Sequence, residues 1–293
     1  MSGTDDKAGT PVTFTLDGRS IEAAPGETIW QAAARHGTDI PHLCYKDSAG
    51  YRADGNCRAC MVEIEGERVL AASCIRTPTD GMVVNSDNHR AKTARKMVME
   101  LLVADQPPRD QSHDPDSELW RYAETQDVDS ARFPAKTAPD ADSSHPAIAV
   151  NMDACIQCNL CVRACREVQV NDVIGLAGRG ADAHIVFDFG DDMGASTCVG
   201  CGECVQACPT GALMPKTMLD ESQALAITPD RQVDSVCPYC GVGCQLTFSV
   251  KDEKIVAVSG RQGPANQGRL CVKGRYGFDY IANPERLTKP LIR

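Results

Sequence analysis

Cysteine is the residue type in this sequence with the clearest capacity for chemistry, since the 293-residue chain contains 16 of them. Two segments share the spacing C-x2-C-x2-C-x3-C. A loop with this spacing can wrap three corners of an iron–sulfur cube, while the fourth cysteine, on the helix that follows, ligates the other cluster. The duplication therefore predicts two [4Fe-4S] clusters with exchanged fourth ligands. One uses Cys155, Cys158, Cys161 and Cys208, and the other uses Cys198, Cys201, Cys204 and Cys165.

A second kind of cysteine set lies in the amino-terminal part of the chain. It consists of Cys44, Cys57, Cys60 and Cys74, in which only the middle pair is closely spaced. One cysteine at the end of a loop, a CxxC before a strand and a fourth cysteine after a hairpin can close four thiolates on a small cluster, so we predict a [2Fe-2S] site. Gly50 and Gly55 would let the backbone approach the sulfides and donate N–H groups to them. Zinc is the competing interpretation.

The last four cysteines lie near the carboxy terminus, in "SVCPYCGVGC" and "GRLCVKGR". Cys237, Cys240 and Cys244 have Cys271 as their fourth partner, which predicts another metal centre and leaves no cysteine unassigned. Gly241 and Gly243 form a G-x-G pattern, but no strand precedes them and the rest of a phosphate-binding fingerprint is missing. None of the six histidines is needed as a ligand.

Composition excludes several classes of function. The formal charge of −10 disfavours nucleic-acid binding, and no run of 18 apolar residues predicts a membrane span. The polar amino terminus has no apolar targeting segment, so we predict a cytoplasmic protein. In that reducing compartment, 16 cysteines indicate metal or redox chemistry and not disulfides.

Hydropathy patterns predict the elements that position these cysteines. Residues 12–16 and 21–23 form a hairpin, a helix runs from about Pro25 and Glu27 to a cap at Gly37, and strands lie within 61–72 and at 82–84. Residues 88–104 predict an amphipathic helix with an apolar face of Ala91, Ala94, Met97, Val98, Leu101 and Leu102. Residues 105–146 predict a long surface connection that is anchored by Leu119, Trp120 and Tyr122. Strand-like runs follow in "VIGLAG" and "HIVFDFG", and "LTFSV" with "KIVAVSG" predicts a late hairpin.

These patterns predict an α+β, multidomain iron–sulfur protein. The predicted divisions are a [2Fe-2S] domain at 10–87, a helix and long linker at 88–147, a tandem [4Fe-4S] domain at 148–217, a linker at 218–234 and a last cysteine domain at 235–293.

The order of the motifs resembles the amino-terminal portion of the alpha subunit of cytoplasmic NAD-dependent, molybdenum or tungsten formate dehydrogenases. "CPYCGVGC" and "RLCVKGRYGFDYIANPERLTKPLIR" are similar to those enzymes in particular. The first two units also resemble the large iron–sulfur subunit of respiratory complex I and the diaphorase subunit of NAD-linked hydrogenases. The resemblance implies a β-grasp [2Fe-2S] domain, a ferredoxin-like domain and the small [4Fe-4S] domain of molybdopterin oxidoreductases.

The resemblance also implies roles. Cys237, Cys240, Cys244 and Cys271 would hold a third [4Fe-4S] cluster. Lys273 would lie between that cluster and a bis-molybdopterin guanine dinucleotide carrying molybdenum or tungsten, and Tyr276 with the turn 283–286 would pack against the next domain. Electrons from formate would pass to a partner subunit that carries FMN and binds NAD, and carbon dioxide reduction by the reverse flow stays open. No catalytic residue is expected among residues 1–293.

Two departures from the family pattern are visible. Many relatives carry an additional cluster held by one histidine and three cysteines, whereas residues 75–154 contain no cysteine, so we expect that cluster to be absent. Relatives also continue into a catalytic region that this sequence does not contain. Two alternatives remain open, a diaphorase-type electron-transfer subunit of a hydrogenase or complex I relative, and a zinc-stabilised scaffold without redox function.

Overall fold

The computed structural model describes residues 10–137, 139–220 and 226–292. The polar amino terminus, five residues of the predicted linker 218–234 and Arg293 lie outside these ranges. The described residues fall into two units. One contains those of Met1–Gln106 and Asp116–Thr137, and the other contains those of Pro107–Pro115 and Ala138–Arg293.

The first unit is built on a mixed five-stranded sheet. Its elements are β1 (Val12–Leu16), β2 (Arg19–Ala23), α1 (Ile29–Arg35), β3 (Met61–Ile64), β4 (Ala71–Ala72) and β5 (Val83–Asn85). The strand order is β2-β1-β5-β3-β4, in which β1 and β5 are parallel and the other pairs are antiparallel. Phe14, Leu16 and Ile21 face one core because alternate side chains of a strand point to the same side. The predicted strands and the single crossing helix are confirmed.

Helix α1 begins later than the sequence suggests. Thr28 is its N-cap and accepts a hydrogen bond from the backbone N–H of Gln31, whose side chain in turn accepts from the Thr28 N–H. This capping box satisfies two backbone donors that a helix start leaves open, which fixes the start after Glu27 and not near Pro25. Gly37 has a φ of 79° and follows the C-cap His36, as predicted.

Helix α2 (His89–Ala104) was predicted, but its buried face was not. The buried residues are Ala91, Arg95, Met99 and Val103, whereas Met97 and Leu101 are exposed. The Arg95 guanidinium donates to the carbonyl oxygens of Met61 at 3.2 Å and Ser86 at 2.7 Å. Because these two carbonyl groups accept from the buried guanidinium, a residue that the hydropathy pattern assigns to solvent occupies a core position.

The connection after α2 contains a helix that composition did not predict, α3 (Glu118–Thr125). Its buried side chains include Leu119, Trp120 and Tyr122, the three residues expected to pin this segment. Ser117 caps the helix, and the Tyr122 hydroxyl lies 3.1 Å from Nδ1 of His42. The acidic and proline-rich composition of the surrounding segment predicted an irregular connection, so the short amphipathic pattern of α3 was not recognised.

The second unit has three small antiparallel sheets. Its strands are β6 (Ile148–Val150), β7 (Ile174–Ala177), β8 (His184–Phe187), β9 (Leu213–Pro215), β10 (Arg231–Val236), β11 (Gln245–Lys251) and β12 (Lys254–Gly260). The pairs are β6 with β9 and β7 with β8, and the third sheet has the order β10-β11-β12. Helices α4 (Leu160–Arg163), α5 (Glu203–Ala207) and α6 (Val272–Tyr276) each follow a cysteine, and a π-helical turn, Ala164–Val168, continues α4.

Strands β7, β8, β11 and β12 match the predicted runs, whereas β6, β9 and β10 were not predicted. Strand β10 occupies part of the segment predicted as linker, and all but one of its residues are exposed. It pairs with β11 as an edge strand, so its polar sequence gives no alternation to detect. Short 3-10 turns lie at Arg109–Gln111, Met152–Ala154, Gly180–Asp182, Lys216–Met218 and Asp279–Ala282. Over the described ranges, no helix combines the length and apolar character needed to cross a membrane.

Candidate metal centres

The amino-terminal cysteine set converges in the first unit. Cys44, Cys57, Cys60 and Cys74 are all buried. Hydrogen bonds from the thiols of Cys57 and Cys74 lower the pKa of Cys44, and one from Cys74 lowers the pKa of Cys60 to about 7. The same contacts raise the pKa of Cys57 and of Cys74. Four sulfur atoms joined in a chain of hydrogen bonds, from Cys57 through Cys44 and Cys74 to Cys60, are a donor set for a thiolate-ligated centre.

The loop that precedes β3 also directs backbone N–H groups at this set. The N–H of Cys57 lies 3.5 Å from Sγ of Cys44, and that of Asn56 also lowers the Cys44 pKa. Donation by the N–H groups of Gly50 and Gly55 stays a prediction. Gly55 also allows a close approach, because a Cβ on it would lie 2.9 Å from Cδ1 of Ile75.

The first tandem motif opens onto a cavity in the second unit. Cys155, Cys158 and Cys161 line it together with Cys208 from the second motif. Apolar side chains such as Ile156, Ile185 and Leu213 complete its wall. Burial raises the pKa of Cys161, and the neighbouring charges of Cys158, Cys155 and Cys208 raise it further. The fold thus brings together the four residues that the spacing assigns to one cluster.

The second tandem motif has the reciprocal arrangement. Burial raises the pKa values of Cys198, Cys201 and Cys204, and the charge of Cys165 raises each of them further. The backbone N–H of Val173 donates to Sγ of Cys165 at 3.3 Å. Cys165 therefore lies with the second motif, although the ligation itself stays a prediction.

The duplication extends to the backbone of the two loops. Gln157 and Asn159 in the first motif have φ values of 56° and 65°, and the corresponding Gly200 and Gly202 have 64° and 70°. The N–H groups of Gln157 and Gly200 each donate to the Sγ of the cysteine two residues earlier, at 3.4 Å. Left-handed residues turn backbone N–H groups into a concave loop, a geometry suited to a negatively charged centre.

The carboxy-terminal set is the most accessible of the four. Cys237 is buried and Cys244 is half-buried, but Cys240 and Cys271 are exposed. The charges of Cys237, Cys240 and Cys271 add to burial in raising the pKa of Cys244. The backbone N–H of Cys237 also donates to the carbonyl oxygen of Cys244 at 2.8 Å.

Helix α6 carries the residues that the family resemblance singled out. Lys273 is exposed on this helix, two residues after Cys271. The Tyr276 hydroxyl would lie 2.6 Å from a Cβ at Gly202, so this side chain packs on the second tandem loop, and its contact with a following domain stays a prediction. Turn 283–286 is exposed.

Sequence reasoning missed three polar residues of this region, Glu203, Gln206 and Arg275. Glu203 and Arg275 are buried, and all three join α6 to the second tandem loop. Their only sequence signal is a charged residue inside each cysteine motif, in "CGEC" and "CVKGR".

The donor sets fit iron–sulfur clusters. Each group supplies four sulfur atoms, with backbone N–H groups aimed at cysteine Sγ in three groups, which are the features by which proteins bind and tune such clusters. For the residues that the structure describes, no three His, Cys, Asp or Glu side chains are arranged to hold a single metal ion. When bound, the clusters supply one-electron transfer.

Three family matches cover most of these sites and define the class of protein. Residues 9–89 match the 2Fe-2S iron-sulfur cluster binding domain, residues 154–212 match the 4Fe-4S dicluster domain, and residues 230–283 match the molybdopterin oxidoreductase Fe4S4 domain. The chain is an iron–sulfur protein of mixed α and β structure.

Comparison with individual proteins narrows this class. A chain in the crystal structure of an NAD+-reducing [NiFe]-hydrogenase in its H2-reduced state is 30% identical, with a TM-score of 0.62, over 70% of this chain and 87% of that chain. This chain belongs to the same family, that of electron-transfer iron–sulfur subunits of NAD(P)H-linked oxidoreductases and formate dehydrogenases.

Curated relatives cover nearly all of the chain. An NADH-quinone oxidoreductase subunit of Rhizobium meliloti is 33% identical over 96% of this chain, and the alpha subunit of the NADPH-Fe(3+) oxidoreductase of Geobacter sulfurreducens is 32% identical over 96%. A Staphylococcus haemolyticus protein that is named as a formate dehydrogenase is 27% identical over 95% of this chain. The chain spans about a third of the length of these relatives.

Proposed function

We propose that this chain is the electron-transfer part of an NAD-dependent formate dehydrogenase. It would relay electrons from a molybdopterin site of formate oxidation, through three [4Fe-4S] clusters and one [2Fe-2S] cluster, to a partner subunit with flavin and NAD. The observation that carries this proposal is the open carboxy-terminal centre. Cys240 and Cys271 are the two exposed cysteines, and they lie in the segment that matches the molybdopterin oxidoreductase Fe4S4 domain.

The surface around this centre suits contact with another protein region. Val236, Tyr239, Val242 and Val272 are adjacent in sequence to these cysteines, and each is at least 42% exposed. Apolar side chains around an opening exclude water when a partner surface covers them. Lys273 lies beside Cys271 and adds one positive charge where a pterin phosphate or ring would approach.

A second candidate is an electron-transfer subunit of a complex I or hydrogenase relative, and the NADH-quinone oxidoreductase match favours it. The carboxy-terminal centre separates this chain from the hydrogenase type, which needs no such domain. It does not separate it from the NADH-quinone oxidoreductase relative, whose similarity covers 96% of this chain.

Substrate-dependent reduction distinguishes the two candidates. The native complex that contains this chain is isolated without oxygen and mixed with formate or with NADH, and the clusters are followed by EPR and visible bleaching. We expect formate to reduce the clusters without NADH. Reduction by NADH with no response to formate would reject the formate proposal and favour the second candidate.

Metal content tests the redox function of the chain itself. The proposed clusters require about 14 iron atoms per chain and an equal amount of acid-labile sulfide, which gives a brown protein. Metal and sulfide analysis of anaerobically purified chain measures this directly. A colourless protein loaded with zinc would support the scaffold alternative instead.

Lys273→Ala tests the proposed route by which electrons enter the chain. We expect iron content and the visible spectrum to stay unchanged, because the Lys273 side chain is exposed and supplies no ligand. The rate at which formate reduces the clusters should fall in the complete enzyme, measured by stopped-flow bleaching, while reduction by NADH should not. Lys254→Ala, an exposed change on β12, is the matched control. Equal formate rates for both variants would remove Lys273 from the path.

A further inference from the structure

A buried ion pair lies between the second tandem loop and helix α6. The side chains of Arg275 and Glu203 are each 3% exposed, and their Nη2 and Oε2 atoms are 3.5 Å apart. Desolvation offsets much of the attraction in such a pair, so its burial alone is weak evidence for a stabilising role. The groups that the pair joins are more informative.

Arg275 connects the peptide groups of two cluster cysteines. Its Nε donates to the carbonyl oxygen of Cys201 at 2.8 Å, and its backbone N–H donates to the carbonyl oxygen of Cys271 at 3.1 Å. Two hydrogen bonds through one residue therefore link a ligand of the second tandem site to a ligand of the carboxy-terminal site. Nη1 also donates to Oε1 of Gln206 at 2.8 Å, which fixes the plane of the guanidinium.

The loop at this contact has no room for a side chain at Gly202. A Cβ on Gly202 would lie 2.1 Å from Cδ of Arg275, whereas one on Gly200 would make an ordinary contact with Cγ2 of Val272 at 3.4 Å. The first tandem loop has Asn159 at the position that corresponds to Gly202. Gly202 thus gives the second loop a close approach to α6 that the side chain of Asn159 would obstruct.

We propose that Arg275 is a positioning residue that holds the Cys198–Cys204 loop against α6 and, by its charge, favours the reduced form of the cluster in that loop. This inference rests on the proposed function, since it makes that loop the neighbour of the carboxy-terminal centre in the relay. With clusters bound at both sites, transfer across this joint would move one electron from one to the other, with no bond formed and no proton moved. A reduced cluster carries one more negative charge than an oxidised one, so a buried cation stabilises it and a buried carboxylate opposes it.

Opposite charge changes at this joint give the test. Arg275→Gln and Glu203→Gln are made in the cluster-loaded chain, and EPR-monitored redox titration follows the cluster bound by Cys198, Cys201, Cys204 and Cys165. At a fixed potential we expect the ratio of reduced to oxidised cluster to fall about tenfold in Arg275→Gln, which for a one-electron couple is ~59 mV. The ratio should rise in Glu203→Gln. Lys254→Gln removes one positive charge from an exposed position of the same domain and should leave the ratio unchanged.

Arg275→Lys separates charge from position. Lysine keeps the positive charge but lacks the planar fork, so the potential should stay near that of the unmodified chain while the magnetic interaction between the two clusters in EPR changes. The same shift in the Lys and Gln variants would reject the role of charge, and an unaltered interaction in both would reject the positioning role. If Arg275→Gln does not retain its clusters, the direction in which the potential shifts in Glu203→Gln and in Arg275→Lys still tests the role of charge. A chain that binds no clusters before mutation would overturn the proposed function, whereas clusters that ignore these changes overturn this inference alone.

Discussion

Cys208→Ala is expected to remove the cluster built on Cys155, Cys158 and Cys161 and to leave the other tandem cluster in place. Cys208 is the last cysteine of the second motif, but its side chain lines the cavity of the first motif. Alanine takes away one of four sulfur ligands there and leaves a buried apolar wall with no replacement. Cluster-resolved EPR with iron analysis should show the loss of one [4Fe-4S] signal and about four iron atoms per chain.

The reciprocal variant is the matched control. Cys165→Ala should remove the cluster on Cys198, Cys201 and Cys204, because Cys165 lies with that group and its Sγ accepts from the Val173 N–H. The two variants should therefore lose different signals, each belonging to the motif that the mutated residue does not lie in. Loss of the second-motif cluster alone in Cys208→Ala would show that the exchange of ligands is wrong.

Gly260→Ala is expected to disrupt the carboxy-terminal centre without touching a ligand. A Cβ at Gly260 would lie 2.0 Å from the carbonyl oxygen of Gly268, a backbone atom with no rotamer to change. The Gln206 side chain restrains both sites, because its Oε1 accepts from the Gly260 N–H at 3.0 Å and its Nε2 donates to the Gly268 carbonyl at 2.9 Å. Overpacking of this kind costs about 3 kcal/mol. The loop that leads to Cys271 should therefore shift.

Hydrogen exchange of the β11 and β12 amides measures the loss of stability of the folded sheet. EPR of the carboxy-terminal cluster measures the displacement of Cys271. Gly241→Ala is the control, since Gly241 lies next to Cys240 and a Cβ there has no atom within 4 Å. We expect faster exchange and a weakened cluster signal in the first variant and little change in the second. Equal exchange rates and cluster signals in the two variants would mean that the backbone at Gly268 moves to accommodate the added Cβ without loss of stability.

The grouping of the tandem cysteines could be predicted because it depends on local spacing, while their ligation of clusters stays a prediction. Spacings of two and three residues decide which sulfur atoms one loop can present, and the duplicated pattern predicts where the fourth cysteine goes. Hairpins β1–β2 and β11–β12 were also predictable, since one face of each is buried and the sequence alternates accordingly.

Features that depend on distant partners could not be predicted in this way. Arg95 occupies a core position only because carbonyl groups of Met61 and Ser86 lie there to accept from it. Edge strand β10 has no buried face to leave a pattern, and α3 is too short to stand out in an acidic segment. Arg275 and Glu203 are 72 residues apart in sequence, so no local pattern pairs them.

The exposure of Cys240 and Cys271 has a consequence for handling the protein. A centre that is open to a partner is also open to dioxygen and peroxide, and cysteine sulfur is oxidised in order of its thiolate character and accessibility. In the isolated chain, a cluster at this centre should therefore decay first in air, before a cluster enclosed by the buried Cys44, Cys57, Cys60 and Cys74. Aerobic preparations would then keep their brown colour while the carboxy-terminal cluster is already lost, so colour alone is a poor measure of intact protein.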